Sequence, residues 1–230
     1  MKTIGLIGGT SWESTAVYYK LINQEINKRL GGLNSAKIIL HSLNMEEFKQ
    51  LQIEGKMDEA CALYCETANK LEVGGADMIL ICANTPHIFA PEIKKHISIP
   101  IVHIARATGQ AIKDAGLKTM GLLGTKITME TDFYKKILTE EFGLDVLVPD
   151  QKGRDYIDGK IFSELCLGKF TEETRQGYLN IINKLKEQGA QGIILGCTEI
   201  PILIKAQHTN VQLFDTTRIH VMDAVRRTIS

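Results

Sequence analysis

Cys197 is the side chain of this sequence best placed to do chemistry. It closes the apolar run Gly192-Ile193-Ile194-Leu195-Gly196 and is followed by Thr198, Glu199 and Pro201. A thiol at a strand end, beside a hydroxyl and a carboxyl group, can carry a proton or act as a nucleophile. A helix starting there would favour the thiolate through its N-terminal dipole. The pattern occurs a second time, 114 residues earlier: Gly75-Ala76-Asp77 leads through Met78-Ile79-Leu80-Ile81-Cys82 into Ala83-Asn84-Thr85. The position matching Cys197 is Ala83. Cys82 comes one residue too early, and because strand side chains alternate it is read as core. The expectation is a two-fold site with one thiol and one vacancy.

The elements that must carry these residues are short apolar strands alternating with amphipathic helices, the signature of βαβ units and a mainly parallel sheet. Strands are expected at Ile4–Gly8, Ala36–Leu43, Asp77–Cys82 and Ile101–Ile104, with helices over Ser14–Arg29, capped by Ser11 or Ser14, and Met57–Val73. The order then restarts. Met120-Gly121-Leu122-Leu123-Gly124-Thr125 echoes Ile4-Gly5-Leu6-Ile7-Gly8-Gly9. Helices Asp132–Phe142 and Glu173–Gln188 and strands Val146–Val148, Ile193–Leu195 and Val211–Phe214 follow, and a last helix, Ile219–Arg227, returns to the first half. The expected fold is α/β: two pseudo-symmetric three-layer halves from an internal duplication, 1–107 with 215–230 and 108–214, with a substrate cleft between them.

In such sheets ligands gather at the carboxyl ends of the strands. The polar clusters expected there are Gly8-Gly9-Thr10-Ser11, Asn84-Thr85, Gly124-Thr125 and Cys197-Thr198-Glu199. A Gly-Thr turn opening onto a helix is a cradle for a carboxylate. No GxGxxG or GxxxxGK[ST] loop is present, and no lysine stands out as a Schiff-base former, so no cofactor is expected.

Composition narrows the partner. Lys+Arg and Asp+Glu are each 27, so no net field draws nucleic acid or an anionic membrane. A small molecule is the expected partner. With no apolar run of membrane-spanning length and no leader-like N-terminus, a cytoplasmic location is expected. A homodimer is compatible with this reading. The five cysteines, Cys61, Cys65, Cys82, Cys166 and Cys197, do not suggest disulfides. Cys61 and Cys65 are read as small core hydrophobes. His87 is read as cleft lining or a helix-start residue. His41, His96, His103, His208 and His220 are scattered, lack metal-ligand spacing and are read as structural or surface residues; no metal site is expected.

Gly5-Leu6-Ile7-Gly8-Gly9-Thr10-Ser11-Trp12-Glu13-Ser14-Thr15, Ala83-Asn84-Thr85-Pro86-His87, Leu123-Gly124-Thr125 with Thr128, and Gly196-Cys197-Thr198-Glu199 together resemble the PLP-independent aspartate/glutamate racemases over essentially the whole chain. The resemblance is closest to the bacterial branch acting on acidic amino acids. It implies two thiols on opposite faces of the substrate Cα, one removing the α-proton and the other reprotonating the carbanion, without a cofactor. It also implies substrate contacts from Thr10, Gln52 (placed in the loop after the second strand), Asn84, Thr85, Thr125, Thr128, Thr198 and Glu199. Two departures stand out. The family's first motif reads Cys-Asn-Thr or Thr-Asn-Thr where this chain has Ala83-Asn84-Thr85, and a lysine of some relatives is replaced by Cys166. Ala83 is open to three readings: a base removed by engineering, a one-sided enzyme, or a binding module. A single-cysteine decarboxylase of the same superfamily is the alternative chemistry. Lys126, Arg106 and Gln52 are the candidates for holding a distal carboxylate.

Overall fold

A computed structural model describes residues 1–229. The elements in chain order are β1 (Thr3–Gly8), α1 (Trp12–Leu30), β2 (Lys37–Ser42), α2 (Met45–Ile53), α3 (Met57–Val73), β3 (Met78–Ile81), α4 (Ala90–His96), α5 (Ile104–Asp114), β4 (Thr119–Gly124), α6 (Lys126–Glu130), α7 (Asp132–Lys136), β5 (Asp145–Leu147), α8 (Gln151–Ser163), α9 (Glu172–Glu187), β6 (Gly192–Gly196), α10 (Ile200–Leu203), β7 (Gln212–Asp215) and α11 (Thr216–Ile229). The chain forms two compact units, one spanning Met1–His103 plus the segment returning from His220, the other Ile104–Ile219.

The first unit has a parallel sheet in the order β2-β1-β3, and Ile101 adds a single parallel bridge to Ile79. Alternation along β1 and β3 divides the core. Ile7, Ile79 and Ile81 face Tyr64, Ala68 and Leu71 of α3. Ile4, Leu6, Met78, Leu80 and Cys82 face Tyr18, Ile22 and Ile26 of α1 and Val221, Ala224 and Val225 of α11. Strands covered on both faces must be apolar throughout, and four of the four β3 residues are buried.

The second unit repeats the plan: β5-β4-β6-β7, all parallel. Leu123, Ile193 and Leu195 pack on α8 and α9, while Met120, Leu122 and Ile194 pack on α5, Tyr134 of α7 and the adjoining Leu138. Each unit is therefore a helix–sheet–helix sandwich. The two registers agree. Ile7 pairs with Ile81, and Leu123 with Leu195. Two residues beyond each pairing stand Ala83 and Cys197, so the two residues hold equivalent positions in their units.

Several local features differ from the sequence reading, and the choice between Ser11 and Ser14 as the α1 cap is decided. The segment Ile101–Ile104 is not a strand: only Ile101 bridges the sheet, and α5 starts at Ile104, driven by buried Ile104, Ala105, Thr108 and Ile112 at helical spacing. A helix absent from that reading, α2, fills residues 45–53, with the Asn44 side chain accepting from Glu46 N and two glutamates in the first turn. Asp132–Phe142 is α7 followed by one wider π-type turn, Ile137–Glu141. At α1, Ser11 is the cap: its Oγ accepts from Ser14 N at 3.2 Å. No helix among the described residues is long and apolar enough to cross a membrane.

Gly9 lies at φ +87°, and a Cβ there would sit 1.9 Å from the Leu43 carbonyl oxygen; Gly75 lies at φ +94° with nothing within 4 Å. Left-handed backbone alone costs an L-residue about 1–2 kcal/mol. Urea unfolding of Gly75→Ala is expected to show a loss of that size. Gly9→Ala, which adds a backbone collision, is expected to lose clearly more. Equal losses would show that the β1–α1 turn relaxes freely.

Candidate active site

In the second unit, Cys197 is half-buried and its Sγ–H donates to Glu199 Oε2 at 3.0 Å. Thr198 Oγ1 donates to the same oxygen at 2.7 Å. Glu199 is 5% exposed. Burial, then the charge of Glu199 and the hydrogen bond to it, hold the Cys197 thiol well above its ordinary pKa. This corrects the thiolate expectation. The helix after the strand, α10, has four residues, too few for a strong terminal field, and a carboxylate sits against the sulfur. The resting group is a thiol kept protonated beside Glu199. Glu199, expected as a substrate contact, accepts from the cysteine. Cys166 packs against the same core cluster as Cys197.

Thr125 caps α6, its Oγ1 accepting from Thr128 N at 3.3 Å and lying 3.1 Å from Thr128 Oγ1. Thr128 is fully buried under Gly124. Thr125 and Thr198 are half-buried at the ends of β4 and β6, so the strand-end grouping of Thr125, Thr128, Cys197, Thr198 and Glu199 is present in this unit. The candidate cations are engaged. Arg106 holds Glu141 through Nε and a second guanidinium nitrogen, each at 2.8 Å. Lys126 pairs with Asp155, with its side chain still 42% exposed.

In the first unit, the half-buried Thr10 hydroxyl is hydrogen-bonded to the buried Tyr64 hydroxyl. Gly9 N donates to Thr15 Oγ1 at 2.9 Å, which closes the turn after β1. Ala83 and Thr85 are half-buried and Asn84 is buried at the end of β3. Cys82 is 2% exposed and packs in the core, its thiol pushed far up by burial. Cys65 is buried and Cys61 lies at the edge of the same cluster. Gln52 is not in a loop: it sits in the last turn of α2, half-buried.

Three histidines read as scattered come together in this unit. His87, on the turn Thr85–Phe89, stacks its ring 4.7 Å from His103 and 5.5 Å from His220. His87 Nδ1 lies 2.9 Å from the Ala83 carbonyl, and His220 Nε2 lies 2.6 Å from that of Val102. Carbonyls only accept, so these nitrogens carry the protons, and Tyr18 O–H donates to His220 Nδ1 at 2.9 Å. Burial depresses the pKa of His87 well below the ordinary value, helped by neighbouring His103 and His220, and takes His220 down to about 4. The sequence carried a signal: Val102-His103-Ile104 and Ile219-His220-Val221 each flank a histidine with apolar residues.

A family model for Asp/Glu/hydantoin racemases matches residues 7–224. The chain belongs to that family. It is 23% identical over 217 residues to the broad specificity amino-acid racemase RacX of Bacillus subtilis, covering 93% of this chain and 92% of RacX. Among solved structures, a candidate Asp/Glu racemase from Yersinia pestis is 46% identical with a TM-score of 0.94, and an aspartate racemase homologue from Pyrococcus horikoshii is 34% identical with a TM-score of 0.85. Each match covers 100% of both chains.

Two outcomes follow from these environments. Alkylation of Cys197 by iodoacetamide, followed by peptide mass spectrometry against pH, should have its midpoint lowered in Glu199→Gln by about one pH unit or more, because the repelling carboxylate is gone. A midpoint that stays or rises would show that Glu199 does not govern the thiol. In the native protein His220 titrates near 4 and His87 is depressed, whereas the unfolded chain takes up protons near 6.5. Unfolding is therefore favoured as pH falls below about 6.5. The expected slope in urea midpoint-derived stability approaches about 1.4 kcal/mol per pH unit for each histidine. A flat profile between pH 7 and 5 would mean the rings are hydrated.

Proposed function

We propose that this chain moves the α-proton of an acidic amino acid, aspartate or glutamate, as a cofactor-independent enzyme of the racemase type. The observation that carries the reading is the Cys197–Glu199 hydrogen bond at the carboxyl end of β6, at the position in its unit that Ala83 holds in the other. Glu199 accepts the thiol proton, and the resulting thiolate takes the α-hydrogen as a proton. The electron pair left at Cα spreads into the substrate carboxylate. The hydroxyls of Thr125 and Thr198 bind that carboxylate and stabilise its growing charge. A substrate ammonium group near the sulfur favours the thiolate, so the proton moves from Cys197 to Glu199 only with substrate bound.

Ala83 cannot carry a proton. With one thiol, abstraction is confined to one face of Cα, and the carbanion is mostly reprotonated from the face it left. Inversion relies on water or Thr85, each a weaker proton donor than a thiol. The reading thus distinguishes α-proton exchange from racemisation. The broad specificity in the name of RacX is a reason to compare other amino acids with the acidic ones.

The deciding measurement follows α-deuterium uptake in heavy water by NMR, with chiral analysis in parallel, on both enantiomers of aspartate, glutamate and alanine. One enantiomer of an acidic amino acid is expected to exchange faster than it racemises. Cys197→Ala should lower exchange by about 10²–10⁴-fold, and Ala83→Cys should raise racemisation relative to exchange. Binding without exchange would make the protein an amino-acid-binding module. Loss of carboxylate from an arylmalonate, with no exchange of amino acids, would assign it to decarboxylase chemistry.

A further inference from the structure

The sheet's last bond on this strand is Cys82 N to Ile7 O at 2.9 Å, and the segment past it that carries Ala83 is held largely by side chains. Beyond β3, Cys82 O accepts from Ser14 Oγ at 2.6 Å, Ala83 O from His87 Nδ1 at 2.9 Å, and Asn84 O from His87 N at 3.1 Å. Three successive carbonyls are thereby satisfied, two of them by one residue. His87 is 1% exposed, and its ring cannot swing freely because His103 and His220 stack on it. His220 is itself fixed at both nitrogens, by Tyr18 and by Val102 O. The chain of contacts runs from α1 and α11 through two imidazoles to one peptide group. None of these histidines has a part in the chemistry assigned above.

We propose that His87 is a positioning residue. Its Nδ1–H pins the Ala83 carbonyl, His103 and His220 set the orientation of its ring, and the fixed backbone presents Asn84 and Thr85 to the substrate carboxylate. The need is for a donor at one point in space, not for an acid or base. The inference rests on the proposed amino-acid chemistry for its kinetic readout, but the clamp itself can be read without it.

Three substitutions separate the roles. An asparagine amide places an N–H near the position of Nδ1, a glutamine amide places it near Nε2, and phenylalanine supplies none. His87→Asn is expected to keep kcat/KM within about fivefold, with the same pH profile as the unaltered protein. His87→Gln and His87→Phe are expected to raise KM about tenfold or more while kcat changes less, the mark of lost ground-state positioning. The proposal is overturned if His87→Asn is as impaired as His87→Phe and loses a limb of the pH profile, since the ring is then an acid or base. It is equally overturned if His87→Phe is unimpaired. Should the phenylalanine variant not fold, Ser14→Ala removes the neighbouring clamp on Cys82 O, and an unchanged KM there counts against the proposal. If the unaltered protein turns over none of the amino acids, the substrate reading fails separately. Amide hydrogen exchange at Asn84 and Thr85 then decides the clamp: faster in His87→Phe and unchanged in His87→Asn supports it, and equal rates in all three refute it.

Discussion

Parallel pairing with both faces covered is the constraint on which the rest of this molecule depends. β1 and β4 each lie between two parallel neighbours, and each sheet has helices on both faces. Every residue along such a strand has to be apolar or small, so the sheets themselves have no room for chemistry. Parallel strands also finish at the same edge. Polar side chains are therefore forced to the segments just past the carboxyl ends, and Thr10, Asn84, Thr125 and Cys197 all stand there. The placement of reactive groups follows from sheet burial before any requirement of substrate enters.

The two units answer that constraint with the same register and different chemistry. The second unit places a thiol against a carboxylate, so the strand end holds a transferable proton. The first unit places a methyl group at the equivalent position and gathers neutral imidazoles behind it. Low pKa values at His87 and His220 fit groups that serve as fixed donors, because a buried imidazolium would cost far more than a buried imidazole. A perturbed pKa is usually grounds for suspecting catalysis. Here the direction of the shift argues the opposite for the histidines, while for Cys197 it describes a group kept protonated.

The sheets, the duplication and the alignment of Ala83 with Cys197 were legible because they are properties of period and offset. Gly5-Leu6-Ile7 and Gly121-Leu122-Leu123 could hardly be anything but buried strands. What escaped depends on contacts between distant segments. His87, His103 and His220 are far apart in the chain, and only the return of α11 to the first sheet brings the third ring to the other two. The protonation of Cys197 escaped for a related reason. Its neighbour two residues on was visible, but whether Glu199 turned toward the sulfur or away from it is a rotamer, and a rotamer leaves no trace in spacing. Residues 45–53 escaped because the helix is short and buries only Phe48, so its periodicity is weak and its Asn44 cap is the stronger signal.

A vacant base position beside an intact scaffold changes what the scaffold is for. In a symmetric two-thiol site, each half needs its strand end only to aim a proton carrier. With Ala83 the first unit has no carrier to aim, yet its strand end is fixed by Ser14 and His87. Such fixing has a cost, since ordering a backbone and burying three imidazoles oppose folding. Under the proposed function that rigidity serves binding: Asn84 and Thr85 would stabilise a charge forming on the substrate, a task that is the same whether the proton leaves by one face or both. A preorganised donor set loses its value once it can relax, because the relaxation energy is subtracted from the stabilisation it gives. The two units thus carry different groups on an equal fold: a strand end fixed behind Ala83 in the first, and a thiol against Glu199 in the second.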